Sequence, residues 1–320
     1  MRGGRARARA VLRNGRSAPR LSHRYSGENL KIRSDLVGTK LKGLEREVSW
    51  RDTMNYAAAV ADLNPAYLDD TRPDGIVAPP LFAVAVTWPL MQDMQNQLGD
   101  AIDPEIFTTM VHASEHLSFH RPIRPGDRLK VSGSIAAIVP SRAGAKIVLR
   151  LDAVDDSGKP VFTEHAGAVF RGVSCIDGGS GADSLPVAPV FDQPAPARWE
   201  RELFIAPQAA HVYDGCTGIF FAIHTSKAFA RMVGLPDILM QGTAILATAA
   251  REMVNAEAAA DPCRLAEIGC RFTGMVRPGT AIRIRSSERR DSDGGASFGF
   301  QVFNEIGQVA LRDGHVKFIS

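Results

Sequence analysis

Two short stretches hold residue types suited to acid–base chemistry: "ADLNPAYLDD" at residues 61–70 and "IFFAIHTSKAF" at residues 219–229. The second presents His224 in a polar turn between an apolar run and a short helix, with no carboxylate among the five residues before it. The first has the reverse arrangement, Asp62 without a histidine. A carboxylate and an imidazole within reach of one water molecule are what general acid–base activation of that water requires. Each loop carries one member of that pair. Asp-x-Asn-Pro is also sound turn chemistry in any protein, so Asp62 reads equally as a structural residue, and His224 as an imidazole tied to backbone.

Other side chains extend the candidate set. Gln241 exchanges hydrogen bonds without titrating and Gly242 permits close backbone approach, so together they suit a carbonyl oxygen. Tyr213 and Asp214 are the nearest polar residues to stand in for the carboxylate that the second loop lacks. Arg121, Arg124, Arg271 and Arg277 flank two Pro-Gly turns, where they either meet phosphates or face water. His112, His116 and His120 recur every four residues in a segment that reads as strand. That spacing puts them on one face, and neither a metal site nor a cofactor is expected. The cysteines (Cys175, Cys216, Cys263, Cys270) have no CxxC spacing, which argues against zinc and thioredoxin-like chemistry and for reduced thiols in a cytoplasmic protein.

The elements that must position these residues occur twice. "FHRPIRPGDRLKVSGSI" begins at Phe119 and "FTGMVRPGTAIRIRSSE" at Phe272, each with Arg-Pro-Gly five residues on, followed by alternating apolar positions. Each half ends in two more strands around a hairpin turn, "DDSGK" in one and "NEIGQ" in the other. Ahead of the strands each half has a long apolar helical pattern: residues 79–99, opened by Pro79 and Pro80, and residues 238–258. A helix apolar along its length must be enclosed on several sides. One long helix followed by antiparallel strands, twice, points to an α+β hot-dog architecture in duplicate, the halves pairing as a pseudo-dimer. Residues 178–197 are rich in Gly, Ser, Pro and Ala and read as a linker. The expected layout is a basic, disordered extension over 1–29, a first hot-dog domain over 30–177, the linker, and a second hot-dog domain over 198–320.

Composition bounds the partners. Net charge is +3, too small for a global field that would recruit nucleic acid or an anionic membrane. Residues 1–27 contain eight arginines and no acid, compatible with a transit peptide, an RNA-binding arm or a disordered extension. There is neither an apolar signal-peptide core nor an uninterrupted run long enough to span a membrane.

Residues 213–244, "YDGCTGIFFAIHTSKAFARMVGLPDILMQGTA", strongly resemble the MaoC-like dehydratase family, which includes the (R)-specific enoyl-CoA hydratases. In the first half the resemblance rests on residues 56–70 and on "GIVAPPLF" at 75–82. The family's hydratase loop reads D-x-N-P-x-H, and H-G-x later opens the central helix. The resemblance implies an Asp and a His acting on a water that adds across a trans-2-enoyl thioester, with the Gly amide holding the thioester oxygen. The first loop keeps Asp62, Asn64 and Pro65 but has Tyr67 for the His, with Ala78 and Pro79 where His-Gly would stand. The second keeps His224 but has Ile219 for the Asp, Phe221 and Ala222 for Asn-Pro, and Gln241 and Gly242 at the helix start. Neither loop holds a complete dyad.

The resemblance further implies an acyl-CoA hydratase or dehydratase with His224 as main acid/base and Asp62 serving the other half-site or only its turn. Gln241, Gly242, Asn64, Tyr67, Tyr213 and Asp214 would bind substrate, an acyl-CoA or acyl carrier protein thioester. The alternative is a catalytically inactive acyl-thioester-binding subunit that partners an active hydratase. Both a homo-oligomer and a heteromer with another MaoC-like subunit stay open. Thioester hydrolysis is a third choice.

Overall fold

Alternating apolar positions in both halves fold into one antiparallel sheet that wraps two buried helices. The structure is a computed structural model that describes residues 30–191 and 196–320. The basic extension over 1–29 and linker residues 192–195 lie outside the described residues.

The first half runs β1 (Lys31–Ile32), β2 (Lys40–Glu47), α1 (Trp50–Ala59), α2 (Pro65–Leu68), α3 (Phe82–Gln92), α4 (Met94–Leu98), α5 (Pro104–Phe107), β3 (Met110–Phe119), β4 (Arg128–Ser141), β5 (Gly144–Val154) and β6 (Pro160–Arg171). A short β7 (Ser174–Cys175) pairs with β1. The second half runs β8 (Trp199–Phe204), α6 (Ala209–Thr217), α7 (Lys227–Met232), α8 (Gly242–Glu257), β9 (Leu265–Phe272), β10 (Ala281–Ser292), β11 (Gly295–Phe303) and β12 (Val309–Ile319). Ten strands form one sheet in the order β2-β4-β5-β6-β3-β9-β12-β11-β10-β8. The order reads the same from either edge once β2 is matched to β8, β4 to β10, β5 to β11, β6 to β12 and β3 to β9. The protein is a double hot-dog, and its pseudo-twofold axis passes through the β3–β9 seam, where Ser114 faces Arg271 and Ser118 faces Glu267. No described helix is long and apolar enough to cross a membrane.

The second central helix keeps close to its expected bounds; the first does not. The pattern over 79–99 breaks at Asp93 into α3 and α4, and Pro89 sits inside α3. Proline has no N–H to give the carbonyl four residues back. Arg46 supplies the missing donor: its Nη1 lies 2.6 Å from the Ala85 carbonyl oxygen.

Two further expectations change in three dimensions. His112 and His116 lie on opposite faces of β3, because a bulge between His112 and Ser114 inserts a residue and reverses the alternation. The segment read as a linker begins as packed chain: Ser180 exchanges two backbone hydrogen bonds with Ile138 of β4, at 2.8 and 3.0 Å.

The halves are also joined beneath the sheet. The Tyr56 and Tyr213 hydroxyls, on α1 and α6, meet at 3.0 Å in the core. Arg251 of α8 donates to the carbonyls of Val60 and Ala61 at 2.7 and 3.0 Å, while its Nε pairs with the buried Glu252 at 2.8 Å. Ala61 has φ of 50°, a left-handed conformation that a non-glycine residue adopts only when its surroundings hold it there. Hydrogen bonds from a charged donor are worth about 1.5–3 kcal/mol. Arg251→Met should therefore destabilise the protein by about 2–3 kcal/mol, read as a melting-temperature fall of several degrees. An unchanged melt would show that the Arg251 contacts contribute nothing.

Candidate functional site

The two loops occupy equivalent positions under the pseudo-twofold axis, as backbone hydrogen bonds demonstrate. Val77 N donates to Ala66 O and Ala78 N to Ile123 O in the first half; Leu239 N donates to Ile223 O and Met240 N to Val276 O in the second. Tyr67 thus occupies the place of His224. The same bonds set Pro79 and Pro80, not Ala78 and Pro79, against Gln241 and Gly242. The sequence match at this helix start is therefore corrected by one residue.

In the first half, Asp62 is buried and its Oδ1 accepts the Asn64 amide at 3.1 Å. Burial raises its pKa, opposed by that hydrogen bond and by the Arg251 charge. Asn64 caps α2, accepting the Ala66 amide, and its Nδ2 reaches across to the Ala260 carbonyl at 2.7 Å. Tyr67 is buried and burial pushes its pKa well up, so it is no base at neutral pH. The crevice that Asp62 and Tyr67 share with Arg251 of α8 has a volume of about 10 Å³, room for about one water and no substrate. A larger cleft of about 330 Å³ opens beside it, lined by Val77, Pro79, Pro80, Phe119, Ile123 and Cys263 among others. It offers space, but the position equivalent to Gly242 is Pro80, which has no N–H to donate.

In the second half, His224 ends a 3-10 turn, Ala222–His224, and its Nδ1–H donates to the Leu239 carbonyl at 2.9 Å. That bond fixes the tautomer and leaves Nε2 with a free lone pair. Burial lowers the His224 pKa; the Leu239 bond opposes the shift and the neighbouring His112 adds to it. Ile219, in the place of the family's Asp, is buried. Gln241 stands at the N-cap position of α8 without a side-chain capping bond and is buried; its Nε2 donates to the Ala210 carbonyl at 3.0 Å and its Oε1 is buried without a hydrogen-bond partner. Gly242 is the first residue of α8, where amides lack intrahelical acceptors and the helix dipole favours negative charge. A Cβ there would come within 2.9 Å of the Phe272 ring, so the close approach requires glycine. Phe220 and Phe221 lie about half exposed on the approach to the His224 turn, the Phe221 ring 6.3 Å from the imidazole.

The structure brings His224, Gln241 and Gly242 to one helix start, and Asp62, Asn64 and Tyr67 to the other. Tyr213 lies in the core between them: its hydroxyl donates to Thr243 at 3.1 Å and meets Tyr56. Asp214, half-buried on α6, keeps Oδ2 out of water without a partner, and burial raises its pKa. Arg121, Arg271 and Arg277 are paired with Asp127, Asp313 and Glu305, and Arg124 donates to the Asp74 carbonyl.

Sequence spacing misses one polar cluster under the sheet. Glu115 of β3 and Glu164 of β6 are both buried, with pKa values pushed well up by loss of solvent. Thr87 reaches Glu164 Oε2 at 2.6 Å, and His112 Nε2 lies 3.2 Å from Glu115 Oε2. The ring of His112 packs 4.6 Å from that of Phe272, which links the cluster to the Gly242 helix start. The available signal was a glutamate sharing the inward face of β3 with Leu117.

Comparisons with known proteins agree with this layout. Residues 35–164 match the sequence model of the FAS1-like dehydratase domain region, and residues 191–304 that of the MaoC-like domain. A UPF0336 protein of Streptomyces coelicolor is 35% identical over 136 residues, 39% of this chain and 85% of that protein. A probable enoyl-CoA hydratase 2 of Dictyostelium discoideum is 22% identical over 295 residues, 86% of this chain and 98% of that one. The crystal structure of a MaoC-like dehydratase from Phytophthora capsici superposes with a TM-score of 0.75 at 20% identity, covering 89% of this chain and 96% of that one. Two matched dehydratase domains, joined in one continuous sheet with their loops related by the pseudo-twofold axis, make this chain a member of the MaoC-like dehydratase family.

Proposed function

We propose that the protein adds water to, or removes it from, a 2-enoyl/3-hydroxyacyl thioester of coenzyme A or acyl carrier protein, at the second-half site. The observation that carries this reading is the contrast between the helix starts: Gly242 beside an imidazole with a free Nε2, against two prolines beside a buried tyrosine. Neutral His224 takes a proton from water as the water oxygen bonds to the β-carbon. The electron pair of the double bond moves toward the thioester oxygen, where the Gly242 amide and the dipole of α8 stabilise it. His224, now protonated, returns the proton to the α-carbon. One imidazole can serve both transfers, which suits a loop that has lost its carboxylate. Asp62 holds the first-half turn. The reading includes a cytoplasmic location, consistent with four free thiols.

The test is a panel of enoyl-CoA substrates followed by loss of enoyl absorbance. Turnover supports the enzyme. Binding without turnover, converted to turnover by a second hydratase subunit, supports the inactive thioester-binding subunit, a reading favoured by the buried Ile219.

The pH profile gives a separate check. The reaction needs neutral His224, and burial lowers the pKa of that group. The acid limb of kcat/KM should therefore have its midpoint below the ordinary histidine value of 6.5. A midpoint at or above that value would remove His224 as the titrating base.

A further inference from the structure

The outer face of the sheet, away from the helices, carries its own cluster of ligating side chains. His116 projects there from β3, Glu267 from β9 and His315 from β12, and His165 of β6 lies directly opposite His116 in the strand register. One ligating atom from each of His116, Glu267 and His315 lies within 4.8 Å of the others. His315 Nε2 is 3.3 Å and His116 Nε2 3.7 Å from Glu267 Oε1. Donors held about 2.0–2.1 Å from a tetrahedral zinc ion stand roughly 3.3 Å apart, so both measured edges are near ligand spacing. The third, between the two imidazoles, is no longer than 4.8 Å.

Burial gives a second, independent sign. His315 is 2% and His116 9% exposed; His315 Nε2 is shielded from water with the Glu267 carboxylate 3.3 Å away, and His116 Nε2 also lies 3.4 Å from Ser118 Oγ. Both ring nitrogens of His165 are buried and unpartnered. Unpartnered imidazole nitrogens out of water are costly, yet three histidine rings gather here, with His116 and His315 centroids 5.4 Å apart and His116 and His165 6.2 Å apart. The space is made by Gly269, where a Cβ would come within 2.6 Å of His315 Cε1. Lys317 lies near Glu267 and Arg150 near His165, the two cations that a bound metal would have to tolerate.

We propose that His116, Glu267 and His315 bind one divalent transition-metal ion of the zinc class, with His165 the neighbouring imidazole across the strand register. Two imidazoles and a carboxylate suit zinc, cobalt and nickel better than the hard cations calcium and magnesium. The ion joins β3 of the first half to β9 and β12 of the second, across the seam. Its role is structural, because the sheet separates it from both loops.

The experiment uses the full-length, untagged protein, stripped with a chelator and then titrated with Zn(II) and, separately, Co(II). One equivalent of zinc should remain per chain after gel filtration, the melting temperature should rise, and Co(II) should give the visible absorption of a tetrahedral site. Glu267→Gln and His315→Ala should each weaken zinc binding by at least about 100-fold. Glu267→Gln is isosteric and half-exposed, so it decides the matter if His315→Ala fails to fold. No retained metal in the parent, or retention unchanged in Glu267→Gln, overturns the proposal.

Discussion

Replacing His224 by alanine should lower turnover on an enoyl thioester by about 10²–10⁴-fold, the usual contribution of a positioned general acid/base. The loss should fall on kcat, because the imidazole acts on water and on the α-carbon, not on the part of the thioester that gives affinity. Asp62→Asn keeps the shape of the first-half turn and its bond from the Asn64 amide, so it should leave most of the rate. Steady-state kinetics of the two variants on one substrate make the comparison. Reversal, with Asp62→Asn inactive and His224→Ala active, would place the chemistry in the first half. If both variants keep full activity, Gln241 and Asp214 become the groups to change, since each keeps a buried oxygen without a partner.

The second large effect concerns the halves themselves. Residues 30–177 or 198–320 expressed alone should aggregate or dimerise. Separation exposes the paired edges of β3 and β9 from Ser114 to Ser118 and from Glu267 to Arg271, leaving a row of backbone donors and acceptors open to any other strand. It also strips the Tyr56 and Tyr213 hydroxyls of each other and the Val60 and Ala61 carbonyls of Arg251. Light scattering and size-exclusion chromatography read the outcome. A well-folded monomer from either half would show that the seam is a contact between independent units.

The repeated Arg-Pro-Gly turns made the duplicated strand pattern legible, because a turn and a period of two are local properties of the chain. The placing of His224 and Gly242 on two short local segments, a turn and a helix start, was legible for the same reason. Long-range pairing hid the rest. The bulge that turns His112 inward exists only against β6. The one-residue correction at Pro79 and Pro80 needed the hydrogen bond from Ala78 to Ile123, forty-five positions away in sequence. Arg46 completing the α3 ladder at Ala85 joins two elements that carry no shared motif. Glu115 and Glu164 belong to no sequence motif and are buried only by the closing of the sheet.

The pairing of Pro80 with Gly242, and of Tyr67 with His224, has a consequence for how such a molecule can change. In a dimer of identical single hot-dogs every substitution occurs twice, so a helix start cannot be closed by proline on one side and kept open on the other. Joining the two copies in one polypeptide removes that constraint. Each loop can then drift on its own, one toward a proline-closed turn with a buried tyrosine and the other toward a lone imidazole, while the shared sheet keeps both in register. On the proposed second-half site, a bound thioester analogue should saturate at one equivalent per chain, half the count its architecture displays.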